Sequence, residues 1–186
     1  MRRSPSDLKK NMSATLMSNQ QIIILGFMGA GKTTVARELG RRLNCPAIDL
    51  DELVTGHTGR APNEIIEQDG EEKFRELETQ MLREVMEDAG ARVIALGGGA
   101  WTMAANRQLI AEHDASTAWL DAPFELCWTR IEDGSEVRPL ARSREQAERL
   151  YHERRPIYEL ACVRISVSEN DNAAEIATRI IHDFSK

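Results

Sequence analysis

Residues 26–33 read GFMGAGKT and fit the spacing G-x-x-x-x-G-K-[ST] through Gly26, Gly31, Lys32 and Thr33. Glycines so placed let successive backbone N–H groups converge on an anion, and a helix starting there adds its positive end. Lys32 would bring a point charge to the outer phosphates of a nucleotide, and the Thr33 hydroxyl would ligate Mg²⁺. The cradle itself is Gly29, Ala30, Gly31, Lys32, Thr33 and Thr34. A tight strand–helix turn would account for the glycines but not for the Lys-Thr pair. Neither DxxG nor NKxD occurs anywhere in the chain, which argues against a signalling GTPase and leaves ATPases and small-molecule kinases.

Four further stretches carry side chains suited to an acceptor. Asp49 and Asp51, two apart at the end of an apolar run, could organise Mg²⁺ and accept the proton of a hydroxyl. Asp51, ahead of Glu52-Leu53-Val54, would equally serve as a helix N-cap. In GEEKFRELE, Arg75 and Glu78 stand at i, i+3, where a carboxylate can hold a guanidinium in place or form an ordinary surface pair. Gly97, Gly98 and Gly99 follow another apolar run, and bare backbone there admits a ligand. Arg138 lies in a polar stretch, 132–145, with four acidic and three cationic residues, which reads as a lid over a phosphoryl-transfer site. Arg154 precedes Pro156 by two, where a helix is expected to break. Three separated arginines around one acidic pair suggest a small anionic acceptor.

Positioning these groups requires strands that end at each of them. Apolar runs at 21–25, 45–49, 92–96, 116–120 and 163–167 are near-continuous, as parallel strands covered on both faces would be. Helical patterns fall at 32–43, 71–88, 102–112, 123–131, 144–160 and 173–184. In the second of these, Phe74, Leu77, Met81, Leu82 and Val85 share one face. The alternation predicts an α/β fold, a doubly wound parallel sheet with helices on both sides and ligands beyond the carboxyl ends of its strands.

At 186 residues the chain reads as a single domain over 21–186. The basic, Ser-containing stretch 1–20 lacks apolar periodicity and reads as a disordered tail outside it. A net charge of −6 offers no footprint for nucleic acid, and no apolar run is long enough to span a membrane. Cys45, Cys127 and Cys162 are odd in number and form no ligand spacing, so buried thiols in a reducing cytoplasm are expected.

Taken in chain order, GFMGAGKT, Asp49-Leu50-Asp51, GEEKFRELE, ALGGGA at 95–100, RPL at 138–140 and RRPIY at 154–158 resemble the shikimate kinases, over essentially residues 21–186. The resemblance implies a nucleoside-monophosphate-kinase-like fold with a five-stranded parallel sheet and a substrate-binding insertion. It also implies ATP-dependent phosphorylation of the 3-hydroxyl of shikimate, in aromatic amino-acid biosynthesis. Lys32 and Thr33 would handle the phosphates and Mg²⁺, with Asp49 supporting the metal. Asp51 would bind the acceptor hydroxyls and act as base. Arg75 and Arg154 would clamp the carboxylate, with Gly98 and Gly99 lining the pocket and Glu78 positioning Arg75. Arg138 would reach the transferring phosphate. Two features depart from the family. Ala141 stands where a second leucine is usual, implying a weaker lid contact, and residues 168–174 lack the proline often found beside adenine, leaving Arg130 as a candidate there. An aminoshikimate or gluconate-type kinase is the neighbouring reading, and a catalytically dead ATP-binding homologue the other, which the intact Lys32, Asp51, Arg75 and Arg138 oppose. A monomer is expected by analogy of fold.

Overall fold

Four successive apolar residues, Ile22 to Leu25, are each at most 1% exposed, so the strand they form must be covered on both faces. That strand, β1 (Ile22–Gly26), is the middle of a five-stranded parallel sheet in the order β2-β3-β1-β4-β5. The other strands are β2 (Ala47–Asp49), β3 (Val93–Ala95), β4 (Ser116–Asp121) and β5 (Val163–Ser166). Ile24 is in register with Ala95 on one side and Ala118 on the other. The chain steps from β1 to one side of the sheet and later returns to the other, so a crevice opens at the carboxyl end of β1. In the computed structural model, residues 20–134 and 140–186 are described. The tail 1–19 and residues 135–139, with Arg138 and the middle of the expected lid, lie outside the described residues.

Helices fill the intervals. α1 (Lys32–Leu43) lays Val35, Ala36, Leu39 and Gly40 on the sheet, and Asn44 ends it in the left-handed region at φ 53. α4 (Glu71–Glu87) buries Phe74, Met81, Leu82, Val85 and Met86, with Glu78 inside the same stripe. α5 (Ala104–Glu112), α6 (Phe124–Glu132), α7 (Arg144–Tyr158) and α8 (Ala173–Phe184) complete the layers. Burying each of the large aliphatic side chains is worth about 1.5–3 kcal/mol, which is what fixes these helices to the sheet.

The expected strands and helices are all present, with ends moved by one or two residues, and several local expectations are corrected. The segment between β2 and α4, left unassigned by periodicity, holds two helices, α2 (Leu50–Thr58) and α3 (Pro62–Asp69). Residues 102–112 divide into a 3₁₀ turn, Ala100–Thr102, and α5. Pro156 does not interrupt α7, which runs on to Tyr158. Lying in the last turn, the proline forfeits one hydrogen bond, and Glu159 N–H still reaches Arg155 O at 3.2 Å. Of the cysteines only Cys127 is buried, and Cys162 is exposed because it opens an edge strand. Ala141, expected to leave the lid short of apolar contact, is 5% exposed and belongs to the core. A leucine there would enter filled space rather than cover an open surface.

Candidate active site

The loop after β1 is shaped by backbone that favours glycine. Gly31 caps α1 at φ 92, a left-handed conformation, so the first N–H groups of the helix face outward with no side chain in the way. Lys32 Nζ donates to Phe27 O at 3.0 Å, arching back over the loop. Arg130, from α6, donates to Gly29 O at 3.1 Å, so the expected adenine candidate stands over the phosphate loop.

Asp49 ends β2 and uses both oxygens on neighbours. One accepts from the N–H groups of Asp51 and Glu52 at 3.0 and 3.4 Å, capping α2. The other accepts from the Thr33 hydroxyl at 2.5 Å. The capping residue is therefore Asp49 rather than Asp51. Asp51 lies in the first turn of α2, not on an extended strand, and the wall of the cleft includes it. Thr33 and Asp49 are thus in contact beside the helix N-terminus, the oxygen donors a magnesium–nucleotide would meet. Among the described residues no group of three or more His, Cys, Asp or Glu gathers into a metal cage, so most ligands would come from phosphate and water.

Arg75 and Glu78 are not a surface pair. Glu78 is fully buried and the Arg75 side chain is 11% exposed. Arg75 Nη1 donates to Glu78 Oε2 at 2.6 Å, and Nη2 donates to Glu71 Oε1 at 3.0 Å. Burial pushes the Glu78 carboxyl up to about 7, against the pull of Arg75 and with the Asp51 charge adding to the rise. A Cβ on Gly99 would overlap the Arg75 guanidinium, so glycine lets the guanidinium lie against bare backbone here. Arg154 Nη1 lies 3.5 Å from where a Cβ on Gly98 would stand. Both arginines therefore meet the glycine run after β3, the grouping that the family resemblance implies. Arg154 is 7% exposed and faces the Glu78 carboxylate and the Tyr158 hydroxyl. Two buried guanidinium groups that share the one Glu78 carboxylate keep positive charge that an anion can offset.

Several supporting residues carried no signal in the sequence. Tyr158 Oη donates to Gly98 O at 2.5 Å, and Trp101 Nε1 donates to Ile157 O at 2.9 Å, which ties the glycine run to α7 and hence to Arg154. Buried Asp121 accepts from both Arg155 and Arg164, joining α7 to β4 and β5. Thr55, Ala61, Pro62, Asn63 and Ile66 also line the cleft. Their signal was available: Pro62 opens α3, and Glu64 Oε2 accepts from Ala61 N–H at 2.7 Å. The cleft encloses about 910 Å³ and runs from the phosphate loop past Asp51 to Arg75 and Arg154. Leu140, just beyond the undescribed lid residues, lines its mouth.

The phosphate loop and two largely buried arginines thus line one cleft. The sequence profile of the shikimate kinases matches residues 28–185. The chain belongs to the shikimate kinase family. A shikimate kinase of Ruegeria pomeroyi is 34% identical over 166 residues, covering 88% of this chain and 84% of that protein. The fold agrees: a shikimate kinase from Acinetobacter baumannii, solved in complex with shikimate, superposes with TM-score 0.78 at 32% identity, over 91% of this chain and 95% of that one. A gluconokinase from Sinorhizobium meliloti, 16% identical with TM-score 0.61 over 90% of this chain and 92% of that one, shares the fold alone.

Proposed function

We propose that the protein transfers the γ-phosphoryl group of ATP to the 3-hydroxyl of shikimate, giving shikimate 3-phosphate and ADP on the route to chorismate and the aromatic amino acids. The observation that carries this reading is the pair of buried arginines on the glycine run, across one cleft from the phosphate loop, in a member of the shikimate kinase family.

Lys32 and the N–H groups of Gly29 to Thr34 hold the β- and γ-phosphates. Thr33 and Asp49 hold Mg²⁺, which when bound neutralises charge on the phosphates. Arg75 and Arg154 grip the acceptor carboxylate, with Gly97, Gly98 and Gly99 beneath the ring, and this sets the reacting hydroxyl against Asp51. Asp51 takes the hydroxyl proton as the oxygen attacks phosphorus. Arg138 stabilises the transferring group, a role supported by Leu140, two residues on, at the cleft mouth. The whole of 132–145 acts as the lid on a single domain, with residues 1–20 a tail.

The protein acts as a cytoplasmic monomer without nucleic-acid partners, a reading supported by its net charge of −6 and three free cysteines. No described helix is long and apolar enough to cross a membrane. Product identity tests the function. After incubation with ATP, Mg²⁺ and shikimate, ³¹P NMR should show a phosphomonoester coupled to the ring proton at position 3. Inorganic phosphate alone, or an ester at another hydroxyl, would contradict it.

A further inference from the structure

Glu78 occupies a position in α4 where the buried stripe calls for hydrocarbon, four residues after Phe74 and three before Met81. Orienting Arg75 uses only one of its oxygens, Oε2. The other, Oε1, is buried and among the described residues accepts no hydrogen bond. It is aimed at the acceptor end of the cleft: Glu78 Oε1 and Asp51 Oδ1 both lie within 2.6 Å of the point where a Cβ on Gly97 would stand. The charged groups facing Glu78 are Asp51 from α2, Arg75 from its own helix with Glu71 behind it, and Arg154 from α7. Gly97 contributes none.

We infer that Glu78 is a second proton acceptor of the site, receiving on Oε1 the proton that Asp51 takes from the acceptor hydroxyl. The inference rests on Asp51 being the base. In the full step the acceptor O–H bond breaks, a bond forms from that oxygen to the γ-phosphorus, and the bond from γ-phosphorus to the bridging oxygen of ADP breaks. The proton ends on Glu78 as a carboxylic acid and returns to water when the cleft opens. No other reactant is needed. Two carboxylates this close disfavour a double negative charge and share a proton readily. Glu78 is placed to keep it, because its buried Oε1 accepts no hydrogen bond among the described residues and burial holds its carboxyl near 7. Gly97 leaves the path between them open, since any side chain there would collide with both oxygens.

The experiment is the pH dependence of kcat and kcat/KM with ATP and shikimate, for the wild type and for Glu78→Gln. Glutamine keeps an oxygen for Arg75 and nearly the same shape. The wild-type kcat should rise with pH through a group near 7 to a plateau, since Glu78 must be ionised to accept. Glu78→Gln should lose that inflection and fall about 10²-fold at the plateau, with KM for shikimate changed by no more than about threefold. A glutamine variant with the wild-type inflection and plateau, or one altered only in KM, would overturn the inference and leave Glu78 as a support for Arg75. Absence of an inflection between about pH 6 and 8 in the wild type would overturn it without any variant. If the wild type released no ADP with shikimate, the functional reading would fall instead.

Discussion

Asp49 and Asp51 are two residues apart, yet one is committed to structure and the other faces the cleft. Asp49 caps α2 and takes the Thr33 hydroxyl, so its loss would disturb the helix and the metal donors together. Asp51 can be changed with less collateral effect. Asp51→Asn should leave nucleotide binding nearly intact and lower kcat by roughly 10²–10⁴-fold, the range of a general base. Turnover within a factor of a few of wild type, measured beside ATP affinity, would remove Asp51 from proton transfer. Arg75→Ala and Arg154→Ala should each weaken shikimate binding by roughly 1.5–3 kcal/mol, as expected for a charge-assisted hydrogen bond. If both grip one carboxylate, shikimate methyl ester should be a poor substrate for the wild type and lose little more in either variant. An ester accepted as well as the acid would assign the arginines another role. The types and spacing of these residues were legible in the sequence. Burial was not: an Arg-Glu pair at i, i+3 looks the same on a wet surface as beneath a glycine run, and only the packing of α4 against α2 and α3 separates the cases.

The elements followed from pattern wherever pattern was long. β1 and α4 were readable because four consecutive apolar residues, or a stripe over seventeen, admit few alternatives. α2 and α3 escaped because several of their polar residues line the cleft. A helix that turns polar side chains into a cleft has no clean amphipathic stripe. The glycine run could be read as a place for a ligand, but not that its partner in contact is the Arg75 guanidinium. Gly99→Ala tests that contact. An added methyl overlaps the guanidinium, which two glutamates hold in place, so the side chain must shift. Melting temperature should stay within a few degrees, while KM for shikimate rises about tenfold or more. Unchanged KM would show that the guanidinium tolerates displacement and is not the clamp.

Across the whole molecule, the arrangement places a phosphate loop at the centre of the sheet and the acceptor groups around it, each at a strand end or on a segment inserted there. β2 delivers Asp49, and α2 continues to Asp51; β3 delivers the three glycines; α7, pinned by Asp121 to β4 and β5, delivers Arg154. Order along the chain was therefore enough to name the family, while the cleft joining these ends needed the fold. The gluconokinase from Sinorhizobium meliloti shares that fold, so the fold alone does not choose the acceptor. In the proposed reading the buried arginines make that choice. The central claim is tested most directly by the rate of ADP formation from MgATP in a coupled assay, with no acceptor, with shikimate, and with gluconate. ADP should form rapidly with shikimate and slowly with gluconate or none, because the acceptor completes the site. Equal rates with and without shikimate, or a preference for gluconate, would contradict the assignment.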